Sequence, residues 1–187
     1  MQNQRLNVRL LAISGSLRAV SSNTSLLRAA ALLAPDGVKI HVYEGLGELP
    51  HFNPDLEDVA PAVVKDFSAQ VGAADGIIFS TPEYAHGVPG VLKNALDWLV
   101  GGSDFSNKPV ALFNASPRST YAVASLTEIL TIMSGRIVPE ASVTVTLREK
   151  LLNEVDIATH LELAPMLRAA LEAFAGAIRR YQEQDAG

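Results

Sequence analysis

The sequence contains no cysteine. That absence excludes disulfides, thiolate metal sites, cysteine nucleophiles and redox-active dithiols together, so any redox role must rest on a bound cofactor. Basic residues are outnumbered, 15 Lys and Arg against 20 Asp and Glu, for a formal charge of −5. Without a dense basic cluster the chain lacks the footprint of a nucleic-acid binder. No apolar run approaches the about 20 residues needed to cross a bilayer. The opening residues Met1-Gln2-Asn3-Gln4-Arg5-Leu6-Asn7 lack the apolar segment of a signal peptide. The expectation is a cytoplasmic protein with no membrane partner. The four histidines, His41, His51, His86 and His160, make no H-E-x-x-H pattern, so no metal is expected. Also missing are a G-x-S-x-G elbow, a lysine-bearing phosphate loop, a G-x-G-x-x-G turn and any internal repeat.

What is present is globular. The 187 residues are 48% hydrophobic and 19% charged, enough for one domain, 1–187, around a single core. Apolar runs at 9–14, 76–81 and 110–114 read as strands covered on both faces. The alternation at 38–43 reads as a further strand, with His41 pointing away from Val38, Ile40 and Val42. A fifth strand is expected at 136–138 and 141–145, interrupted at Pro139. Helices are expected at 22–33, 60–74, 89–100, 120–133 and 157–182, the last with Pro165 as either a kink or the true start. Strand and helix alternate throughout, which predicts an α/β fold with a parallel sheet and helices on both faces.

The chain is organised around its first strand–helix turn. Leu10-Leu11-Ala12-Ile13-Ser14 runs into Gly15, and five hydroxyl side chains (Ser14, Ser16, Ser21, Ser22, Thr24) with Arg18 and Asn23 then surround the start of a helix. The first N–H groups of a helix lack intrahelical partners and carry positive potential, so this is a ready phosphate site. A plain helix cap at Ser22 or Asn23 is the alternative, but a cap would not require Ser16 or Arg18. Two further turns lie at strand ends, after Thr81 and after Asn114, where open α/β sheets bind ligands. The second offers backbone groups beside Tyr84 and His86, suited to the polar edge of a flat heteroaromatic ring. The third, Ala115-Ser116-Pro117-Arg118-Ser119-Thr120, is placed to close over that ring from the other side. Glu83 either caps the coming helix or pairs with a cation. Tyr84 is either a cofactor wall or an interface aromatic, and Trp98 reads as core or subunit interface. Lys93 and Asp97 are spaced to pair along a helix. No proton-transfer dyad is evident.

Two motifs resemble the NADPH-dependent FMN reductases, a group that includes bacterial quinone, chromate and azo-dye reductases. They are Gly15-Ser16-Leu17-Arg18 with Ser21 and Asn23, and Thr81-Pro82-Glu83-Tyr84 followed by Pro89-Gly90-Val91-Leu92-Lys93-Asn94-Ala95-Leu96-Asp97-Trp98. Leu49-Pro50, Phe52-Asn53-Pro54-Asp55 fits the family's intervening loop. The resemblance implies a flavodoxin-like three-layer sandwich, with a five-stranded parallel sheet ordered 2-1-3-4-5 and noncovalent FMN. It implies that Ser16, Arg18, Ser21 and Asn23 hold the FMN phosphate, with the backbone around Ser22 and Thr24 assisting. It likewise implies that Pro82, Glu83, Tyr84, Ala85, His86, Gly87 and Ser116 line the isoalloxazine. The implied activity is reduction of quinones or similar small electrophiles (flavin, chromate, azo compounds) with NADPH or NADH as donor, in a homodimer or homotetramer. The alternative is an FMN-binding electron carrier or interaction module without efficient NAD(P)H turnover. Two departures from the family pattern stand out. Ala85-His86-Gly87 follows Tyr84 where an Asn is common, and Arg118-Ser119-Thr120-Tyr121 occupies the usual place of a glycine pair.

Overall fold

The structure, a computed structural model, describes residues 7–147 and 153–185. Residues 1–6, on which most of the leader reading rests, lie outside the described residues. Strands β1 (Val8–Ser14), β2 (Val38–Tyr43), β3 (Gly76–Ser80), β4 (Pro109–Asn114), β5 (Arg136–Ile137) and β6 (Val143–Thr144) build one parallel sheet. Its order is β2-β1-β3-β4-β5, with β6 also on β4. The expected fifth strand is thus two short pieces. Val110 pairs with Ile137, Pro139–Ala141 turn as a 3-10 segment, and Phe113 pairs with Val143. Proline has no N–H to give a ladder, which is why the strand breaks there.

Helices α1 (Ser22–Leu32), α2 (Ala62–Ala73), α3 (Gly90–Val100), α4 (Thr120–Ile132), α5 (Glu154–Thr159) and α6 (Leu163–Asp185) cover both faces. Strand alternation sorts the core. Val8, Leu10, Ala12, Ile78, Ala111 and Phe113 pack with α1, α5 and α6. Leu11, Ile13, Ile77, Phe79, Val110 and Leu112 pack with α2, α3 and α4. Leu26, Leu27, Ala30 and Leu33 are buried as their spacing predicts, and His41 is exposed on the edge strand.

The single closing helix expected at 157–182 is instead α5 and α6. Asn153 caps α5 through a box with Asp156, one turn earlier than the apolar periodicity indicated. His160 then accepts from the amides of Glu162 and Leu163 at 3.2 and 3.4 Å, so it starts α6, and Pro165 falls in that helix's first turn, where it is tolerated. Among the described residues no helix is long and apolar enough to cross a membrane.

Candidate active site

The sheet order reverses between β1 and β3, since β1 connects to β2 on one side while β3 lies on the other. Ligands of open α/β sheets bind at such a point, beyond the strands' carboxyl ends. The distribution of buried polar residues marks the same place. Among the described residues these are Ser14, Ser21, Asn23, Ser80, Thr81 and Asn114. All lie at the ends of β1, β3 and β4 or at the start of α1. Buried polar groups are costly unless they are hydrogen-bonded, so gathering them at one pole builds a polar floor beneath an otherwise apolar core.

That floor is well connected. Ser14 and Ser80 sit opposite each other in the β1–β3 register, and the Gly15 amide donates to Ser80 O at 2.8 Å. Ser14 Oγ lies 2.8 Å from Thr24 Oγ1, and the Ser80 hydroxyl donates to Asn23 Oδ1 at 2.9 Å. With its carbonyl oxygen held, Asn23 keeps its amide nitrogen without a hydrogen-bond partner among the described residues. The helix cap proves to be Ser21, one residue before the two expected caps, and its side chain accepts from Thr24 N. The first-turn amides of Ser22 and Asn23 are left without an acceptor from the described chain. Ser16 N donates to Ser14 Oγ and Arg18 N to Ser16 Oγ, folding the turn back on the strand end, with the Arg18 side chain exposed.

Gly15 is there for space. A Cβ on it would lie 2.6 Å from Thr81 Oγ1 and 3.1 Å from Leu92 Cδ2, so the first loop rests directly on the second. The second loop makes a tight hairpin. Tyr84 and Gly87 exchange both backbone hydrogen bonds, while Ala85 and His86 stand at φ 49° and 59°. Two left-handed central residues are what a type I′ turn demands, and Asn or Gly normally fills them. The Asn missing after Tyr84 is therefore replaced by an alanine bearing backbone strain.

The third loop copies the first in miniature. Ser116 N donates to Asn114 Oδ1 at 3.1 Å and Arg118 N to Ser116 Oγ at 3.3 Å. Glu83 binds this side of the site. Its Oε2 accepts from Ala122 N at 2.9 Å, capping the first turn of α4 rather than that of α3, which follows it in sequence. The His86 ring stacks on Tyr121, centroids 4.2 Å apart and planes 14° off parallel. The imidazole thus packs on α4.

The structure brings Ser16, Ser21, Ser22, Asn23 and Thr24 together at the first turn, with Arg18 in the same loop, and ties Glu83 and His86 to the third. Pro82 and Gly87 are half-buried, Tyr84 and Ala85 are exposed, and Ser116 sits at the foot of the third loop. Sequence reasoning missed Ser80 and Asn94. Asn94 accepts from Phe52 N and donates to Pro50 O, and Trp98 Nε1 donates to the same carbonyl. Those bonds pin the loop that carries His51 and Phe52 against α3, with the Phe52 and Trp98 rings edge to face. Polar residues closing three apolar strands (Ser14, Ser80, Asn114) were the available signal. Lys93 and Asp97 form their i, i+4 pair on α3.

Residues 8–149 match the family model described as NADPH-dependent FMN reductase. The chain belongs to this family. An NAD(P)H-dependent FMN reductase of Pseudomonas aeruginosa is 41% identical over 113 residues, 59% of this chain and 60% of that protein. A quinone reductase of Pseudomonas putida is 40% identical over 109 residues, 56% and 58% of the two chains. The matched stretch thus spans about 60% of the length of these curated relatives. Among solved structures, the flavoenzyme NAD(P)H:(acceptor) oxidoreductase of Paracoccus denitrificans superposes with a TM-score of 0.83 at 27% identity, covering 92% of this chain and 98% of that one. An oxidoreductase of Corynebacterium diphtheriae, at 20% identity and TM-score 0.67, shares the fold. As a family member the chain has the flavodoxin-like sheet order, and the family's second motif coincides with the strained hairpin and α3.

Proposed function

We propose that this protein is an FMN-dependent NAD(P)H:acceptor oxidoreductase that reduces quinones or similar small electrophiles. The observation that carries the reading is the polar floor at the ends of β1, β3 and β4 around the start of α1, in a chain of this family. The donor set fits a phosphate monoester: hydroxyls of Ser16, Ser21, Ser22 and Thr24, the Asn23 amide, the Arg18 guanidinium and free first-turn amides, all donors beside a helix N-terminus. Pro82, Glu83, Tyr84, Ala85, His86, Gly87 and Ser116 would border the flat ring.

The chemistry itself, acceptance of a hydride from NAD(P)H at flavin N5 and its transfer to an acceptor, is what FMN supplies when bound. The protein's share is position. Glu83 fixes the first turn of α4 through Ala122 N, and the Gly15–Thr81 contact sets the first loop against the second. The hairpin holds Tyr84 and the backbone of 85–87 beside the cleft. Because the bound cofactor carries the redox chemistry, the protein is called on for position and electrostatics rather than for a general base, and the Glu83 carboxylate serves α4.

We place the protein in the cytoplasm as a single FMN-binding unit, acting on small molecules rather than nucleic acid or membrane. We further propose that it is a homodimer or homotetramer, because Leu17, Val20 and Tyr84 on the rim of the first two loops are 58%, 57% and 53% exposed. Sedimentation of the purified protein measures that.

The deciding experiment is the visible spectrum of the purified protein, followed by anaerobic NADPH. Flavin absorbance that bleaches promptly supports the reductase. Absorbance that persists favours an electron carrier, and protein that neither carries nor binds FMN overturns the proposal. Arg18→Ala should weaken FMN binding by about 1.5–3 kcal/mol through loss of a charge-assisted phosphate contact. Unchanged affinity would refute the phosphate assignment.

A further inference from the structure

We infer that the His86–Tyr121 stack is the acceptor-selecting element of the site, favouring planar aromatic acceptors of the quinone class over compact oxyanions such as chromate. The inference rests on the reductase reading above and deepens it. Two independent features point to this pair. The first is strain. Ala85 and His86 both adopt left-handed backbone, a state that is costly for non-glycine residues and persists where the surroundings enforce it. The enforcing contacts are the reciprocal Tyr84–Gly87 hydrogen bonds and the imidazole lying on the Tyr121 ring at 4.2 Å. The hairpin is bent in the way that delivers His86 to α4.

The second feature is exposure. His86 is exposed and Tyr121 is 56% exposed, so the stack stays open to solvent. A two-ring stack covers one face of each ring and leaves the outer faces free. Such a face takes another flat ring in offset stacking, whereas a tetrahedral oxyanion has no flat face to match it and could use only the N–H and O–H groups at the ring edges. The pair also bridges the second loop to the first turn of α4, where Glu83 makes its own tie to Ala122, so the platform stays fixed at the carboxyl-end pole of the sheet. Arg118, exposed on the same loop, is the rival feature, since a cation would favour the oxyanion.

The test compares wild type with Tyr121→Ala and Tyr121→Phe. FMN affinity is read by titration, 1,4-naphthoquinone affinity by quenching of Trp98 fluorescence, and KM separately for naphthoquinone and chromate. We expect Tyr121→Ala to weaken naphthoquinone binding and raise its KM roughly threefold to tenfold. FMN affinity and the chromate KM should move by less than about twofold, and Tyr121→Phe should restore the wild-type values. Parallel rises in both KM values, or loss of FMN affinity in Tyr121→Ala, overturn the inference, because the pair would then serve general access or the cofactor. Wild type that fails to bind FMN would instead overturn the reductase reading. The naphthoquinone binding difference between wild type and Tyr121→Ala would still decide the role of the pair.

Discussion

Ser80, the last residue of β3, donates its hydroxyl hydrogen to Oδ1 of Asn23 at 2.9 Å, with both side chains buried. The bond orients the Asn23 amide at the start of α1 from a strand 57 positions away in sequence. Ser80→Ala removes the donor and leaves a buried carbonyl oxygen unpaired, a loss of about 1–3 kcal/mol. Chemical denaturation should show that loss, and FMN titration should show weaker binding because the amide is free to rotate. Equal stability and equal affinity would mean that the bond positions nothing.

Gly15 against Thr81 gives the second prediction. A methyl group at position 15 would stand 2.6 Å from Thr81 Oγ1, and Thr81 is itself buried, so one loop must shift. Gly15→Ala should lose about 1–3 kcal/mol of stability, as overpacking commonly does, together with FMN affinity. Thr81→Ala introduced into the same chain removes the obstructing hydroxyl and should recover part of both. If the double variant is as impaired as the single one, close approach is not the reason for this glycine.

Much of this was legible in advance, for physical reasons that can be named. Buried parallel strands read as continuous apolar runs, so β1, β3 and β4 were visible directly, and the polar turn after Ser14 announced an anion site. Contacts across long sequence separations left no local trace. Nothing adjacent to Glu83 indicates that its carboxylate caps α4, 39 positions on, nor that Asn94 reaches Pro50 and Phe52. The break between α5 and α6 was read only from Pro165, whose reading as the true start agrees with α6 beginning at Leu163, because apolar spacing continues through it. The other signal was chemical, in the Asn153–Asp156 box and the capping His160. The third loop's departure from glycine was visible as residues, but the stacking of Tyr121 on His86 was not.

Alkaline stability tests the packing of the end of β2 on α2. Tyr43 is buried against Phe67 at a centroid distance of 4.9 Å. Burial, and then the charges of Asp66 and Glu48, raise its phenol above the ordinary value of 10.0. The folded state therefore holds this proton more tightly than the unfolded chain does. The resulting stability is fully present below pH 10 and is lost as pH rises through the folded-state value. Lys108 works the other way. Burial lowers its ammonium below 10.5, so its contribution grows as pH rises toward that value. Tyr43→Phe isolates the first effect, since Lys108 is common to both proteins. Urea denaturation from pH 8 to 11 should show the variant losing less stability than wild type above pH 10, and parallel curves would rule out a role for the Tyr43 proton.

Ala85 bears strain that a single change can release. At φ 49° an alanine pays about 1–2 kcal/mol for the left-handed region, whereas glycine enters it freely but gives up about 0.5–1 kcal/mol of chain entropy relative to alanine. The difference favours Ala85→Gly by about 0.5–1 kcal/mol, a rise in Tm of roughly 1–4 °C for a chain of this size. Ala85→Val should move the other way by more, because a β-branched side chain tolerates positive φ least. Scanning calorimetry of the three proteins orders them glycine above alanine above valine if the hairpin is strained as the geometry shows. The functional consequence follows from where the strain is held. Valine should pull His86 away from Tyr121 and reduce naphthoquinone affinity, while glycine relaxes the backbone with the stack intact. A valine variant as stable as wild type, with unchanged naphthoquinone binding, would show that the turn tolerates any residue and that the stack does not depend on it.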